Sequence, residues 1–387
     1  MLRKASLAAL VGVCASAAVV TAAAARPDAQ QTASAACTGT VTIGMLAPIT
    51  GPAASIGGDQ LHWAQFYVDR WNKGHKLKIN LVQGDTQLDP AKASTVAQSF
   101  ASNNDIVGVI GPAGSDEVIA TAPILKRAGL AFISGSATRV SLSNGKFRGY
   151  FFRVVPNDNV QGPSDVDFML KHLGVKKGSS VMVVDDQEAY STGLADIVQK
   201  TLTKKGVDVD RESISQKSTD FSALVAKVGS DTKVVFTPFQ LAAQAQLIAQ
   251  QLKAQGKQAV VFGSDGTFDS SKFKEPGNYI SFFAPDVTTI KKDATLVKAF
   301  HKAHPGATSP FGAPNYVAAQ AYATAATQLC KAGKKITRAS MRAQLRKANL
   351  KNTILGGTIK FTRNGDVAGA KFFIFKIQKN GKYVTVA

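Results

Sequence analysis

Short β-rich runs alternate with segments of helical periodicity from residue 40 onward, and this alternation limits the folds that the chain can adopt. The strand-like runs of the first unit lie at 41–46, 77–82, 106–110 and 130–133. The same rhythm starts again after Tyr150 and continues to Phe262. Repeated strand–helix–strand units favour parallel sheets covered by helices on both faces. The sequence therefore predicts an α/β fold with two parallel sheets of similar size.

The C-terminal part of the chain is too small to form a third compact domain of its own. It contains three helical segments and two strand-like runs, 358–361 and 371–377, which flank an Asn364-Gly365 turn of the hairpin type. We expect this part to complete the two earlier units, so that the chain passes between them near Pro156, Pro285 and Gly369. The predicted boundaries are 39–156 and 286–369 for the first lobe, and 157–285 and 370–387 for the second.

Residues 1–25 have the pattern of a secretory signal peptide. Arg3 and Lys4 precede an Ala-rich apolar run that ends in small residues suited to cleavage. A transmembrane anchor is the alternative, but a run made mostly of alanine is only weakly hydrophobic. We therefore predict export across the cytoplasmic membrane to the periplasm or cell envelope. Residues 26–38 are small and polar, which is typical of a flexible lead-in.

Two cysteines remain after the predicted cleavage, because Cys14 lies inside the signal peptide. In an exported protein, the remaining pair, Cys37 and Cys330, predicts a disulfide. Lipid attachment at Cys37 is the less favoured alternative: small residues precede it, but the usual leucine is missing and the apolar run ends well before it.

The chain is strongly basic, with a formal net charge of +20. Nucleic-acid binding therefore has to be considered. The lysines are scattered along predicted helix faces and loops, as at Lys171, Lys176 and Lys200, and few aromatic residues lie between them. Solubility and attraction to acidic envelope surfaces explain this charge better, so no nucleic-acid partner is predicted.

The predicted strand ends are where a binding site is expected, because ligands of open parallel sheets bind at the carboxyl ends of the strands. Ser115 opens a helix there, where free N–H groups and the helix dipole favour an anion. Ser136 and Thr138 follow the next strand and offer hydroxyl and backbone groups. Asp265 follows a strand of the second unit and could pair with an ammonium group. Taken singly, these residues would more often be a helix cap, a polar loop and a turn aspartate.

Signatures of catalysis are weak. The glycines of 108–114 resemble a dinucleotide-binding loop, but their spacing departs from GxGxxG and a proline interrupts them. The sequence has no P-loop, nucleophile elbow or HExxH motif. His301 and His304 have no evident carboxylate or cysteine partner for a metal. We predict no cofactor, no metal and no enzymatic activity.

Many short segments, taken together and in order, resemble the type I periplasmic binding proteins that serve branched-chain amino-acid ABC transporters. The matching segments are 43–52 (IGMLAPITGP), Asp85 with Asp89-Pro90, 109–112 (VIGP), 133–138 (ISGSAT), Phe152-Arg153, Tyr190 with Gly193-Leu194-Ala195, 220–224 (DFSAL), 263–266 (GSDG), 316–322 (YVAAQAY) and 357–366. The resemblance covers essentially all of 40–380. It implies two Rossmann-like lobes with parallel sheets, joined by a hinge of three crossovers.

The resemblance also implies roles for individual residues. The positions matched by Ser115 and Thr138 hold the ligand carboxylate in the family. The backbone at the Ser136 position helps to hold the ammonium group, which an acidic residue at the Asp265 position neutralises. The remaining implied pocket residues are two aromatic residues of the second lobe, Tyr190 and Phe239, and Ile56, with the register at Phe239 uncertain by one residue.

The sequence departs from the family pattern at two places in this site. Asp265 replaces what is often glutamate, so its carboxylate reaches one methylene less far. Asp116 and Glu117 put two negative charges next to the proposed carboxylate site, which puts a plain amino-acid specificity in doubt.

The function implied by the resemblance is that of a monomeric extracytoplasmic binding protein, which clamps a branched-chain or related amino acid or amide and delivers it to the membrane permease of an ABC importer. A sensory module of the same fold is the alternative, and an exported α/β enzyme is a less favoured one. Turnover of a bound compound would distinguish an enzyme from a binding protein or sensory module.

Overall fold

The computed structural model describes residues 37–307 and 309–387. The predicted signal peptide and all but the last two residues of the lead-in lie outside the described residues. The strands are β1 (Gly39–Ala47), β2 (Leu77–Asp85), β3 (Ile106–Ile110), β4 (Ala131–Ser134), β5 (Phe151–Arg153), β6 (Ser180–Asp185), β7 (Asp208–Ser213), β8 (Thr232–Thr237), β9 (Val260–Gly263), β10 (Tyr279–Phe282), β11 (Asn349–Leu350), β12 (Ile359–Lys360), β13 (Phe373–Ile377) and β14 (Tyr383–Thr385). The α-helices are α1 (Ala54–Gly74), α2 (Pro90–Ser102), α3 (Ser115–Arg127), α4 (Asp158–His172), α5 (Ala189–Lys204), α6 (Ser222–Ala226), α7 (Ala242–Ala254), α8 (Ala294–Ala303), α9 (Gly312–Lys331) and α10 (Arg338–Leu345).

Two sheets form the centres of two lobes. The first has the order β2-β1-β3-β4-β5 and is parallel throughout. The second has the order β14-β13-β10-β9-β8-β6-β7, in which β13 alone runs opposite to the other strands and is antiparallel to both of its neighbours, β10 and β14. Every residue of β3 and β4 is buried, as expected for parallel strands covered by helices on both faces. The predicted fold class, α/β with two Rossmann-like lobes, is confirmed.

Within the described residues the chain passes between the two lobes three times. The connections run from β5 to α4, from β10 to α8, and from β12 to β13. Pro156, Pro285 and Gly369 lie on these connections. After the second passage, α9 packs against α1 and β3, so the late helices extend the first lobe. Because three segments of the chain connect the lobes, the lobes are joined at a hinge rather than by a single flexible linker.

The close packing of α9 on the first sheet depends on a glycine in β3. A Cβ atom on Gly108 would lie 2.2 Å from the ring of Tyr322. The Tyr322 hydroxyl accepts the Val109 N–H at 3.0 Å and donates towards the carbonyl oxygens of Val109 and Ala131. The late helix is thereby tied to the centre of the first sheet.

The two strand-like runs that flank the predicted Asn364-Gly365 turn do not form a hairpin with each other. The turn itself is present, closed by a bridge between Phe361 and Val367, but the strands on its two sides are not partners. β12 pairs with β11, whereas β13 pairs with β10 in the second lobe. The hairpin is cut short because the chain leaves the first lobe directly after the turn, and β13 completes a different sheet.

A disulfide joins Cys37 to Cys330, whose Cα atoms are 5.7 Å apart. It connects the residues before β1 to the last turn of α9, across 293 positions of sequence. We expect thiol titration of denatured protein lacking the signal peptide to find no reactive thiol before reduction and two after it. Two reactive thiols before reduction would contradict this bond.

None of the helices in the described part of the chain is both long and apolar enough to cross a membrane.

Candidate ligand-binding cleft

The carboxyl ends of both sheets meet at a small cavity between the lobes. The cavity has a volume of about 30 Å³, which is room for only one or two water molecules, so the lobes lie close together here. Its walls consist of Ile56, Leu88, Ala113, Gly114, Ser115, Ser136, Ala137 and Phe311 from the first lobe and its connections, and Tyr190, Gln240, Asp265 and Gly266 from the second. The structure thus brings five of the seven predicted site residues to one cavity.

Ser115 is the first residue of α3 and is almost fully buried at the cavity wall. Its predecessor Gly114 caps the helix, and the Glu117 carboxylate accepts the Gly114 N–H at 2.6 Å. Because Glu117 caps the helix from within, the Ser115 hydroxyl is left to face other partners, of which one is the Arg139 N–H at 3.4 Å. The first lobe therefore offers an N-terminal helix dipole and a hydroxyl at the cavity.

The loop after β4 is held by its own polar side chains. The Ser136 hydroxyl accepts from Gln60 Nε2 at 2.9 Å and donates to the Ala113 carbonyl at 2.8 Å. Ser136 lines the cavity, but its hydroxyl is already engaged by protein groups. Thr138 is completely buried and does not line the cavity in this conformation; its carbonyl accepts the Asp158 N–H at 3.0 Å.

Arg153 supports this loop from beneath. Its completely buried guanidinium donates to the carbonyl oxygens of Ala137 and Arg139 at 3.0 and 2.9 Å. It also donates to Ser143 Oγ at 2.7 Å and forms an ion pair with Asp366 at 2.6 Å. The guanidinium therefore ties the loop to the turn that precedes the third crossing between lobes.

Asp265 and Tyr190 form the opposing wall from the second lobe. Both residues are 3% exposed, and the Tyr190 hydroxyl lies 2.6 Å from Asp265 Oδ1 and 2.7 Å from Ser264 Oγ. Burial raises the pKa of Asp265 to about 7, while the hydrogen bond from Tyr190 acts to lower it. Burial also raises the pKa of Tyr190 well above its usual value, so this hydroxyl remains a donor.

Two further buried carboxyl groups stand behind Asp265. Burial raises the pKa of Asp158 to about 6, and the charge of Arg153 acts against this rise. The pKa of Asp165 is raised well above its usual value by burial, although Ser281 Oγ donates to it at 3.1 Å. The second-lobe wall is therefore rich in buried carboxyl groups with raised pKa values, and a cation in the cavity would stabilise their ionised form.

Hydrogen bonds across the cleft hold the lobes in this arrangement. Asp116 Oδ1 accepts the Ala189 N–H at the start of α5 at 2.6 Å. Ser55 Oγ donates to Asp269 Oδ2 at 2.9 Å, and Arg139 donates to Thr192 Oγ1 at 3.3 Å. The Asp116 charge is thus directed to a helix N-terminus of the opposite lobe, where it is favourable, rather than at the cavity.

A family model described as a periplasmic binding protein matches residues 40–382. The chain belongs to the periplasmic binding protein family. The chain is 28% identical over 350 residues to a Leu/Ile/Val-binding protein homolog from Brucella melitensis, covering 87% of this chain and 91% of that protein. It is 26% identical to a Pseudomonas aeruginosa protein that binds leucine, isoleucine, valine, threonine and alanine, covering 88% and 91% of the two chains.

A solved structure with the same fold is the branched-chain amino-acid transporter substrate-binding protein of Streptococcus pneumoniae in complex with isoleucine. The TM-score is 0.79 at 23% identity, and the match covers 90% of this chain and 100% of that one. At this identity the likeness shows the fold alone. It agrees with the two-lobed architecture described above.

One predicted pocket residue of this periplasmic binding protein lies elsewhere. Phe239 is completely buried in the apolar core of the second lobe and does not line the cavity. The next residue, Gln240, lines it instead. The chain turns between β8 and α7 at this point, so two consecutive residues point to different places, one into the core and one into the cavity. The resemblance to the family left the alignment here uncertain by one residue.

Leu88 and Phe311 are cavity residues that the sequence analysis missed. Leu88 follows β2 in a left-handed backbone conformation, with φ at 59°, and Phe311 directly precedes α9. Neither position belongs to a recognisable motif. No group of three or more His, Cys, Asp or Glu side chains in the described ranges is arranged to hold a metal ion.

Proposed function

We propose that this protein is the extracytoplasmic binding component of an ABC importer and that it clamps an α-amino acid between its lobes. The observation that carries the proposal is the pairing of opposite electrostatic environments across one cavity. The Ser115 end of α3 favours a carboxylate, and buried Asp265 with Tyr190 favours an ammonium group. Both charges of a zwitterion would therefore be compensated after water is excluded.

Thr138 and the hinge complete the proposed mechanism. In the present conformation Thr138 lies just outside the cavity, and we propose that a bound carboxylate draws its loop inward. Burying a charged group without a partner costs several kcal/mol, so a compound that lacks one of the two charges would bind poorly. Ligand binding would shift a pre-existing equilibrium between open and closed lobes, and a membrane permease would recognise the closed form.

Export by an N-terminal signal peptide, a monomeric state and the absence of catalysis belong to the same proposal. The names of the relatives, which include Leu/Ile/Val-binding proteins, support an amino-acid ligand. The ligand would leave the protein chemically unchanged.

Isothermal calorimetry of the ligand-depleted protein with each common amino acid tests the proposal. We expect saturable binding of at least one of them, and mass spectrometry should detect the same compound after release from freshly exported protein. Incubation with that compound should produce no new product. Absence of binding by every amino acid, or turnover of the bound compound, would refute the proposed function.

The affinity for the amino acid is expected to fall as the pH is lowered. The pKa of Asp265 in the free site is about 7, whereas pairing with an ammonium group requires the ionised carboxylate. Lowering the pH from about 8 to about 5 should therefore weaken binding up to about 100-fold, because each pH unit below the pKa lowers the ionised fraction about tenfold. Calorimetry across this range checks the prediction. An affinity that is constant or rises towards low pH would contradict it.

The stability of the ligand-free protein is expected to change in the opposite direction. The folded-state pKa of Asp265 lies above the usual value of 3.8. The folded state therefore binds the proton more tightly than the unfolded state, and stability is lost as the pH rises through about 7. Asp158 acts in the same sense near pH 6. Thermal unfolding of free protein should thus occur at higher temperature at mildly acidic pH, which would show that weaker binding there is not caused by unfolding.

A further inference from the structure

Gln240 brings a polar group into the otherwise apolar end of the cavity. It lies between β8 and α7, is 9% exposed, and faces the apolar side chains of Ile56 and Leu88 across the cavity. An amide group at such a place is costly unless both of its ends find partners. Its partners therefore indicate what the cavity can accept.

Hydrogen bonds within the second lobe fix the orientation of this amide. The Asp186 carboxylate accepts the backbone N–H groups of Glu188 at 3.1 Å and Gln240 at 3.4 Å, so it acts as an acceptor. Gln216 must then turn its Nε2 towards Asp186, at 3.4 Å, and the same Nε2 donates to Gln240 Oε1 at 2.9 Å. The oxygen of Gln240 is thereby engaged, and its NH₂ group is directed away from Gln216.

The NH₂ group of Gln240 reaches across the cleft. Its Nε2 lies 3.5 Å from the position that a Cβ atom on Gly114 would occupy, at the start of α3 in the first lobe. Within residues 37–307 and 309–387, no protein acceptor forms a hydrogen bond with Nε2. A donor with a fixed orientation is therefore presented to the cavity beside Gly114 and Ser115.

The charges around this end of the cleft distinguish among possible acceptors. Asp186 accepts from the Gln240 backbone, and the charges of Asp116 and Asp186 act together with burial to raise the pKa of Glu188 to about 7. A second carboxylate, on the ligand side chain, would be repelled by these acids, whereas a neutral carbonyl oxygen would not.

We infer that Gln240, oriented by Gln216 and Asp186, makes the pocket select an amino acid whose short side chain ends in a carboxamide rather than in a branched alkyl group. This inference rests on the proposed function, because it assumes that the ligand backbone is held by Ser115 and Asp265. An alkyl side chain would cover the Nε2 donor and leave it without a partner, which costs about 1–3 kcal/mol for a buried group.

Asparagine, leucine and aspartate provide the test, because their side chains have nearly the same shape. Calorimetry of the unmodified protein should show asparagine binding about tenfold or more tightly than either of the others. In Gln240→Leu, asparagine binding should weaken about tenfold while leucine binding is retained or improves. Gln216→Leu removes only the hydrogen bond that orients the Gln240 amide. It should therefore reduce the preference for asparagine over leucine by a smaller factor. The control is Gln250→Leu, an exposed glutamine of α7, which should change neither affinity.

The outcomes separate this inference from the proposed function. Leucine binding at least as tightly as asparagine, with both affinities changed equally by Gln240→Leu, would overturn the inference while leaving an amino-acid-binding protein. Absence of binding by any amino acid would refute the proposed function itself. Circular dichroism verifies that each variant folds. If Gln240→Leu does not fold, the asparagine and leucine affinities of Gln216→Leu test the inference instead, because residue 216 is farther from the cavity.

Discussion

Replacing Asp265 with asparagine is expected to weaken amino-acid binding at least about 100-fold, because it removes the charge proposed to pair with the ligand ammonium group. The change preserves the size of the side chain and the oxygen that accepts from Tyr190 at 2.6 Å. The loss should therefore reflect the charge rather than the packing. Calorimetry near pH 8, where the carboxylate of the unmodified protein is ionised, measures the effect.

The stability of Asp265→Asn separates a loss of binding from a loss of fold. Asp265 is buried near Asp158, and both of these carboxyl groups have raised pKa values. Removing one of two neighbouring negative charges should leave the unfolding temperature of the free protein unchanged or higher at pH 8. Asp167→Asn, an exposed aspartate of α4 in the same lobe, is the matched control and should bind normally. Unchanged affinity of Asp265→Asn would remove this residue from the site.

Replacing Arg153 with methionine is expected to lower the free energy of unfolding by about 3–5 kcal/mol, the effect typical of removing one partner of a buried ion pair. Two carbonyl oxygens, Ser143 and Asp366 lose a donor at once, and Arg153 itself is completely buried. Urea denaturation followed by circular dichroism measures the change. Ligand affinity should fall as well, since Ala137 of the supported loop lines the cavity.

Two further variants test the cause of this destabilisation. Arg148→Met removes an exposed arginine of the same lobe, whose Nε donates to Asn364 at 3.2 Å, and should cost less than about 1 kcal/mol. Adding Asp366→Asn to Arg153→Met should recover part of the loss, because the carboxylate left without a partner is then neutral. A loss below about 1 kcal/mol for Arg153→Met would show that the loop does not depend on this guanidinium.

The fold could be predicted because its main determinants are local. Continuous apolar runs such as β3 and β4 are buried on both faces, and helical periodicity marks the layers that cover them. Helix α3, for example, begins at Ser115, the residue predicted to open it. The turn at Asn364-Gly365 is a different case. Whether 371–377 pairs with the preceding strand or with β10 depends on which lobe the chain enters, and the turn motif alone does not decide that.

The candidate site was only partly predictable. Ser115, Ser136 and Asp265 follow parallel strands, and the carboxyl ends of such strands meet at one edge. Gln240 was missed in favour of Phe239, because a tight turn decides which of two consecutive side chains enters the core. Leu88 carries no sequence signal, since its position depends on an unusual backbone conformation.

The sequence by itself therefore determined the two α/β lobes, the strand ends that carry polar residues, and the family. Only the tertiary structure decided which of those residues face one another. The bond from Ala189 to Asp116 joins groups 73 positions apart and on different lobes, so it exists only when the lobes close. Local sequence patterns record the preferences of neighbouring residues, whereas the cleft is formed by surfaces that meet only after each lobe has folded.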